Sequence, residues 1–94
     1  MAAATLHRRI YQYSGRVQGV GFRYTVRNIA LRYNVAGYVR NLPDGRVEMC
    51  LEGATPELDE MAAEVERKME GFVKDVKVEE QAAAGELKGF AIKH

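Results

Sequence analysis

The spacing of apolar residues changes several times along this chain, and each change marks an element. Residues 7–13, "HRRIYQY", alternate loosely and are rich in aromatic and β-branched types, which predicts a strand. A glycine-rich stretch at 15–21 follows, and apolar residues then recur at Phe22, Val26, Ile29, Ala30 and Tyr33. Those intervals line one face of a helix, leave Arg23, Arg27 and Asn34 off the stripe, and make Gly37 its expected stop. Next, two extended runs flank "LPDG", whose proline fixes φ and whose glycine tolerates positive φ, the mark of a hairpin turn. In the second run Val47, Met49 and Leu51 alternate with Glu48, Cys50 and Glu52, as in a strand covered on one side.

A second helix opens at "ATPELDEMAAEVERKMEG", with Thr55 as the expected N-cap, Pro56 in the first turn, and Glu57 and Asp59 at its positive end. Leu58, Met61, Ala62, Val65 and Met69 form its apolar stripe, Arg67 and Lys68 fill its last turn, and Gly71 ends it. "DVKVEEQ" predicts a strand through Val76 and Val78, "AAAGELKG" a loop, and "FAIKH" a short closing strand with Phe90 and Ile92 on one face. The order is βαββαβ with a brief final strand. The economical packing is a ferredoxin-like α+β sandwich, an α/β arrangement of two helices on one face of a mainly antiparallel sheet. That architecture hosts enzymes, carriers, RNA binders and regulatory modules, so it leaves function open.

A length of 94 residues allows a single domain, expected at 7–94 behind a loose tail at 1–6. The net charge of +1 argues against a general nucleic-acid binder. Charge is uneven, however: arginines crowd "LHRRIYQYSGR" and "GFRYTVRNIALRY", while 57–70 is mainly acidic. A local positive site is therefore open to a near-neutral protein. Cys50 is the lone cysteine, which excludes an internal disulfide and a thiolate cluster, and it is expected to have no role. No metal-ligand spacing appears, no apolar run is long enough to span a bilayer, and "MAAATLHRR" lacks the apolar centre of a secretory signal. A reducing cytoplasm, a monomer, and no membrane, metal or cofactor are the expectations.

Candidate chemistry centres on the loop "SGRVQGVGFR". Amides around Gly19 and Gly21, the N–H groups of the helix that starts near Phe22, and the planar donor fork of Arg23 can converge on one anion. Glycine spacing alone favours a plain strand-to-helix connection with a surface arginine. The string is not a P-loop, since no Gly-Lys-Ser/Thr follows, nor a dinucleotide fingerprint, since Tyr24 stands in place of the last glycine. Asn41, just before "LPDG", ordinarily bonds its own backbone. If the strands pair as expected, its amide instead comes beside the loop and can hold a water next to a bound anion. His7 and His94 lie near the ends without an evident partner and read as surface residues.

"GRVQGVGFR" followed by "GYVRNLPDGRVE" resembles the acylphosphatase family, and the likeness runs from the strand at residue 9 to "GFAIKH". Both family motifs are intact, one at 15–23 and the other from Gly37 through Asn41, Asp44 and Gly45 to Val47. The resemblance implies a metal-independent hydrolase that splits an acyl phosphate into a carboxylate and inorganic phosphate. It implies that Arg23 holds the phosphoryl group together with the loop Gly15, Arg16, Val17, Gln18, Gly19, Val20, Gly21 and Phe22, and that Asn41 positions the attacking water. Tyr38 replaces a tryptophan often found there, and His94 stands where tyrosine is common. Two alternatives keep the fold without the chemistry. An RNA-recognition module would expose Tyr11 and Tyr13, and an anion sensor or carrier domain would keep the loop and omit turnover.

Overall fold

The computed structural model describes residues 6–83 and 85–94. The tail expected at 1–6 therefore lies, apart from Leu6, outside the described residues. The elements are β1 (His7–Gly15), α1 (Phe22–Ala30), β2 (Val35–Asn41), β3 (Val47–Gly53), α2 (Thr55–Lys68), β4 (Val73–Ala82) and β5 (Phe90–Lys93). The strands form one sheet in the order β4-β1-β3-β2-β5. All pairings are antiparallel except β2 with β5. This is the βαββαβ arrangement expected from the periodicity, with a fifth strand closing the β2 edge.

Both helices cover the face that carries Tyr11, Tyr13, Val39, Val47, Met49 and Leu51, and the core forms between them. Phe22, Val26 and Ile29 enter it from α1, and Leu58, Met61 and Val65 from α2. Each such side chain contributes roughly 1.5–3 kcal/mol on burial. The rings of Tyr13 and Phe22 lie 4.9 Å apart and tilted by 52°. This contact seats the start of α1 on β1, beneath the glycine loop. Tyr11 and Tyr13 are thus buried, so neither offers the exposed aromatic platform that an RNA-recognition module needs.

Three local expectations need correction. First, α1 stops at Ala30, well before Gly37, and Tyr33 lies outside it. Arg32 and Tyr33 leave the helix through turns back to the carbonyls of Ile29 and Ala30, at 3.0 and 3.1 Å. The segment is then held by α2: the Tyr33 hydroxyl and the Asn34 N–H donate to the carboxylates of Glu64 and Glu57, at 2.7 and 2.6 Å. Gly37 belongs to β2, where a Cβ would collide with the carbonyl oxygen of Cys50. Its glycine reflects close packing between strands, not a helix stop.

Second, the N-cap of α2 is Ala54, without a side-chain cap, and Thr55 is already helical. Third, β3 is buried on both faces. As the middle strand, it has its outward residues Glu48, Cys50 and Glu52 roofed by long side chains from its neighbours. Arg40 donates to Glu48 at 2.7 Å, and Arg8 donates to Glu52 at 3.1 Å. The Lys93 ammonium sits 4.1 Å above the Tyr38 ring, extending this polar roof to β5. Burial pushes the Cys50 thiol above its ordinary pKa.

Candidate active site

The loop between β1 and α1 is fixed at both ends before it reaches solvent. At its start the β1–β4 register shifts at Ser14/Gly15, and the Arg16 N–H donates to the Phe72 carbonyl at 2.9 Å. Val17 is buried and anchors the loop in the core. Gln18 then crosses to the hairpin: its side-chain amide donates to the carbonyls of Leu42 and Arg46 at 2.8 and 3.0 Å. These two bonds tie the loop to the turn that follows Asn41.

Gly19 and Gly21 both take left-handed φ, 76° and 77°, and a Cβ at either would meet nothing within 4 Å. Backbone conformation, not crowding, calls for glycine here. Left-handed residues in a short loop turn successive N–H groups toward one side, which makes a concave anion seat. Gly21 is also the N-cap of α1, and no side chain caps it. The first helical bond runs from the Thr25 N–H to the Gly21 carbonyl at 3.0 Å, so the N–H groups just before Thr25 have no helical acceptor. No acidic residue occupies the first turn of α1, in contrast to Glu57 in α2. The positive end of α1 is therefore left without a fixed counter-charge.

A cavity of about 220 Å³ opens here, lined by Val17, Gly19, Gly21, Phe22, Arg23, Tyr24 and Asn41. Arg23 and Asn41, far apart in sequence, thus face one space. The Arg23 guanidinium is steadied by the chain end, with Nη1 3.5 Å from the Lys93 carbonyl oxygen and 3.2 Å from His94 Nδ1. Among the described residues no carboxylate pairs with it, so donors remain for an anion. Asn41 ends β2 opposite Val47. The turn's own side-chain bond is made by Asp44, whose carboxylate accepts from the Arg46 N–H at 3.1 Å and lies near the Arg46 guanidinium at 2.8 Å. These contacts hold the Asp44 carboxyl below its ordinary pKa. With Asp44 bracing the turn, the Asn41 amide is not needed for that purpose.

Not every loop residue lines the cavity. Gly15 is paired with Val73 in the sheet, the Arg16 amide is committed to Phe72, Val20 packs against the core, and Gln18 serves the hairpin. Two residues that the sequence reading passed over do reach the site. His94, taken as an unpartnered surface residue, contacts Arg23, while Tyr24 lines the cavity wall. The 100° step of a helix signals Tyr24, since it puts position 24 on the same opening turn as Arg23. His94 had no local signal, because its contact depends on β5 lying beside β2. His7 also has a neighbour, Glu80, at 3.7 Å. Among the described residues no three His, Cys, Asp or Glu side chains cluster to hold a metal ion, and no helix is long and apolar enough to cross a membrane.

Known proteins share this fold and much of its sequence. The family model for Acylphosphatase matches residues 9–92. An acylphosphatase from Rubrobacter xylanophilus is 44% identical over 95 residues, covering 99% of this chain and 86% of the relative. One from Trichormus variabilis is 46% identical over 81 residues, covering 85% and 79%. The crystal structure of acylphosphatase from Bacillus subtilis superposes with a TM-score of 0.83 at 38% identity, covering 95% of this chain and 99% of that one. With a matched fold, a family model over nearly its whole length and relatives of similar length covered over most of their sequence, this chain belongs to the acylphosphatase family of enzymes.

Proposed function

We propose that this protein hydrolyses acyl phosphates to a carboxylate and inorganic phosphate, using Arg23 and the Gly19–Arg23 backbone to hold the phosphoryl group and Asn41 to position water. The observation that carries this reading is the convergence of Arg23, Asn41 and two left-handed glycines on one cavity at an unneutralised helix N-terminus. Membership of the family supports the substrate class.

The chemistry asks little more of the protein. The leaving group is a carboxylate whose conjugate acid has a pKa of about 4, so it departs without protonation. Phosphoryl transfer goes through a loose transition state with charge on the equatorial oxygens, and catalysis is mainly positioning and electrostatic stabilisation. Backbone N–H groups and one guanidinium supply the stabilisation, and the Asn41 amide supplies the positioning. The water oxygen attacks phosphorus as the bond to the acyl oxygen breaks, with its electron pair leaving on the carboxylate. The proton released by water passes to a phosphate oxygen, since no carboxylate or imidazole is among the residues lining the cavity. No metal, nucleic acid or membrane partner enters this scheme, and it needs only one copy of the chain in a cytoplasmic setting.

The test is hydrolysis of benzoyl phosphate by the unaltered chain and by Arg23→Ala, together with inorganic phosphate binding. The expected result is turnover that EDTA leaves unchanged, lost by roughly 10³-fold or more in Arg23→Ala, with weakened phosphate binding. Wild-type turnover by Arg23→Ala would remove the arginine from the site. Absence of turnover by the unaltered chain, with phosphate still bound, would favour the anion-sensor alternative.

A further inference from the structure

The cavity has two walls of different origin. Asn41 reaches it from the end of β2, on the sheet. Tyr24 reaches it from the first turn of α1. Successive residues of an α-helix are about 100° apart around its axis. Phe22 points into the core at 2% exposure, so Tyr24, two positions on, lies about 200° round and faces away from the sheet. Its 57% exposure agrees with that placement. Asn41 thus lines the space from the sheet and Tyr24 from the helix.

In phosphoryl transfer the entering and leaving oxygens lie roughly in line through phosphorus. With water at Asn41, the acyl oxygen must point away from the sheet, toward Tyr24. From this we infer that the Tyr24 ring is the surface on which the acyl group of the substrate rests, and that it favours acyl phosphates with a flat aromatic body over small aliphatic ones. The inference rests on the hydrolase reading and adds the substrate class to it. The Arg27 guanidinium lies 5.6 Å from the ring centroid, a cation–π contact that favours this placement of the ring. Ring surface left to water in the free protein is covered when an aryl group lies against it, and such aromatic pairing adds binding that an acetyl group cannot gain. This contact exists before and during the reaction, so it acts on KM more than on kcat.

The experiment measures kcat and KM for benzoyl phosphate and acetyl phosphate with the unaltered chain, Tyr24→Ala and Tyr24→Phe. In Tyr24→Ala the benzoyl-over-acetyl ratio of kcat/KM should fall by about tenfold, through KM, while Tyr24→Phe should keep the ratio within about twofold. Acetyl phosphate turnover in the same preparation reports that the variant is folded and its phosphate seat is intact. An unchanged ratio in Tyr24→Ala, an equal loss of both substrates, or a collapsed ratio in Tyr24→Phe would each overturn the inference. Failure of the unaltered chain to hydrolyse either substrate would instead overturn the hydrolase reading, and the assignment of Tyr24 with it.

Discussion

Gln18 is the sharpest probe of how the site is held together, because its side chain joins the two segments that must meet. Gln18→Ala removes two hydrogen bonds, of 2.8 and 3.0 Å, to the carbonyls of Leu42 and Arg46. A neutral hydrogen bond is worth about 0.5–1.5 kcal/mol net, which sets a range of about 1–3 kcal/mol for the pair. Both acceptors keep another donor, however: Gly45 N–H reaches the Leu42 oxygen at 3.2 Å, and Leu42 N–H reaches the Arg46 oxygen at 2.8 Å. Neither carbonyl is orphaned, so the lower half of the range applies, about 1–2 kcal/mol. For a domain of this size that corresponds to a melting temperature lower by roughly 4–16 °C. The functional effect should be larger than the stability loss suggests. Loop and hairpin would be free to part, and misplacing water against phosphorus by about 1 Å can cost up to roughly 10²-fold. Urea denaturation at 25 °C and benzoyl phosphate kinetics on the same sample check both numbers. A variant that loses the expected stability yet keeps full kcat would show that the tie between loop and hairpin does not set the geometry of Asn41 and Arg23.

Asn41→Ala should lower kcat by roughly 10²-fold while inorganic phosphate still binds, measured by turnover and product inhibition, and an equal loss of phosphate affinity would move Asn41 into the binding set. Gly21→Ala should destabilise by about 1–2 kcal/mol, since the left-handed φ of 77° opposes an L side chain although the space is open, and phosphate affinity should fall with it; thermal melts with and without phosphate read both effects. The Cys50 thiol, 2% exposed and with its pKa raised by burial, should react with a thiol reagent at pH 8 only as fast as the protein opens, so its rate should rise steeply in urea. Asp44 contributes stability that is present above the ordinary carboxylate range and is lost as pH falls through its lowered folded pKa, so Asp44→Asn should flatten the acid limb of the melting curve slightly.

Most of the framework was legible because local signals agreed with it. The stripes Phe22, Val26, Ile29 and Leu58, Met61, Val65 are buried as their spacing requires, and the alternation of Val47, Met49 and Leu51 gave the core face of β3. The errors arose where a distant element decided the outcome. Gly37 looked like a helix stop, yet its partner is the backbone of Cys50 on β3. Glu48 and Glu52 looked solvated, yet arginines on the adjacent strands cover them. The site divides in the same way. Arg23, Gly19 and Gly21 sit in one short motif whose chemistry is readable, and the cavity unites them with Asn41. The contact of His94 with Arg23 and the bonds from Gln18 to the hairpin span chain separations that no periodicity encodes. Gly15 pairs with Val73 in the sheet and the Arg16 N–H donates to Phe72, contacts that likewise depend on a segment far along the chain.

The place of β1 in the sheet bears on how this protein is made. Its two neighbours, β3 and β4, come much later in the chain, and the Arg16 amide waits for Phe72. A ribosome therefore extrudes the glycine segment well before the residues that support it. Through most of that interval the nascent polypeptide holds the groups for gripping phosphate without the scaffold that shapes them. Competence should arrive abruptly, once β4 and β5 have emerged and these outer strands dock.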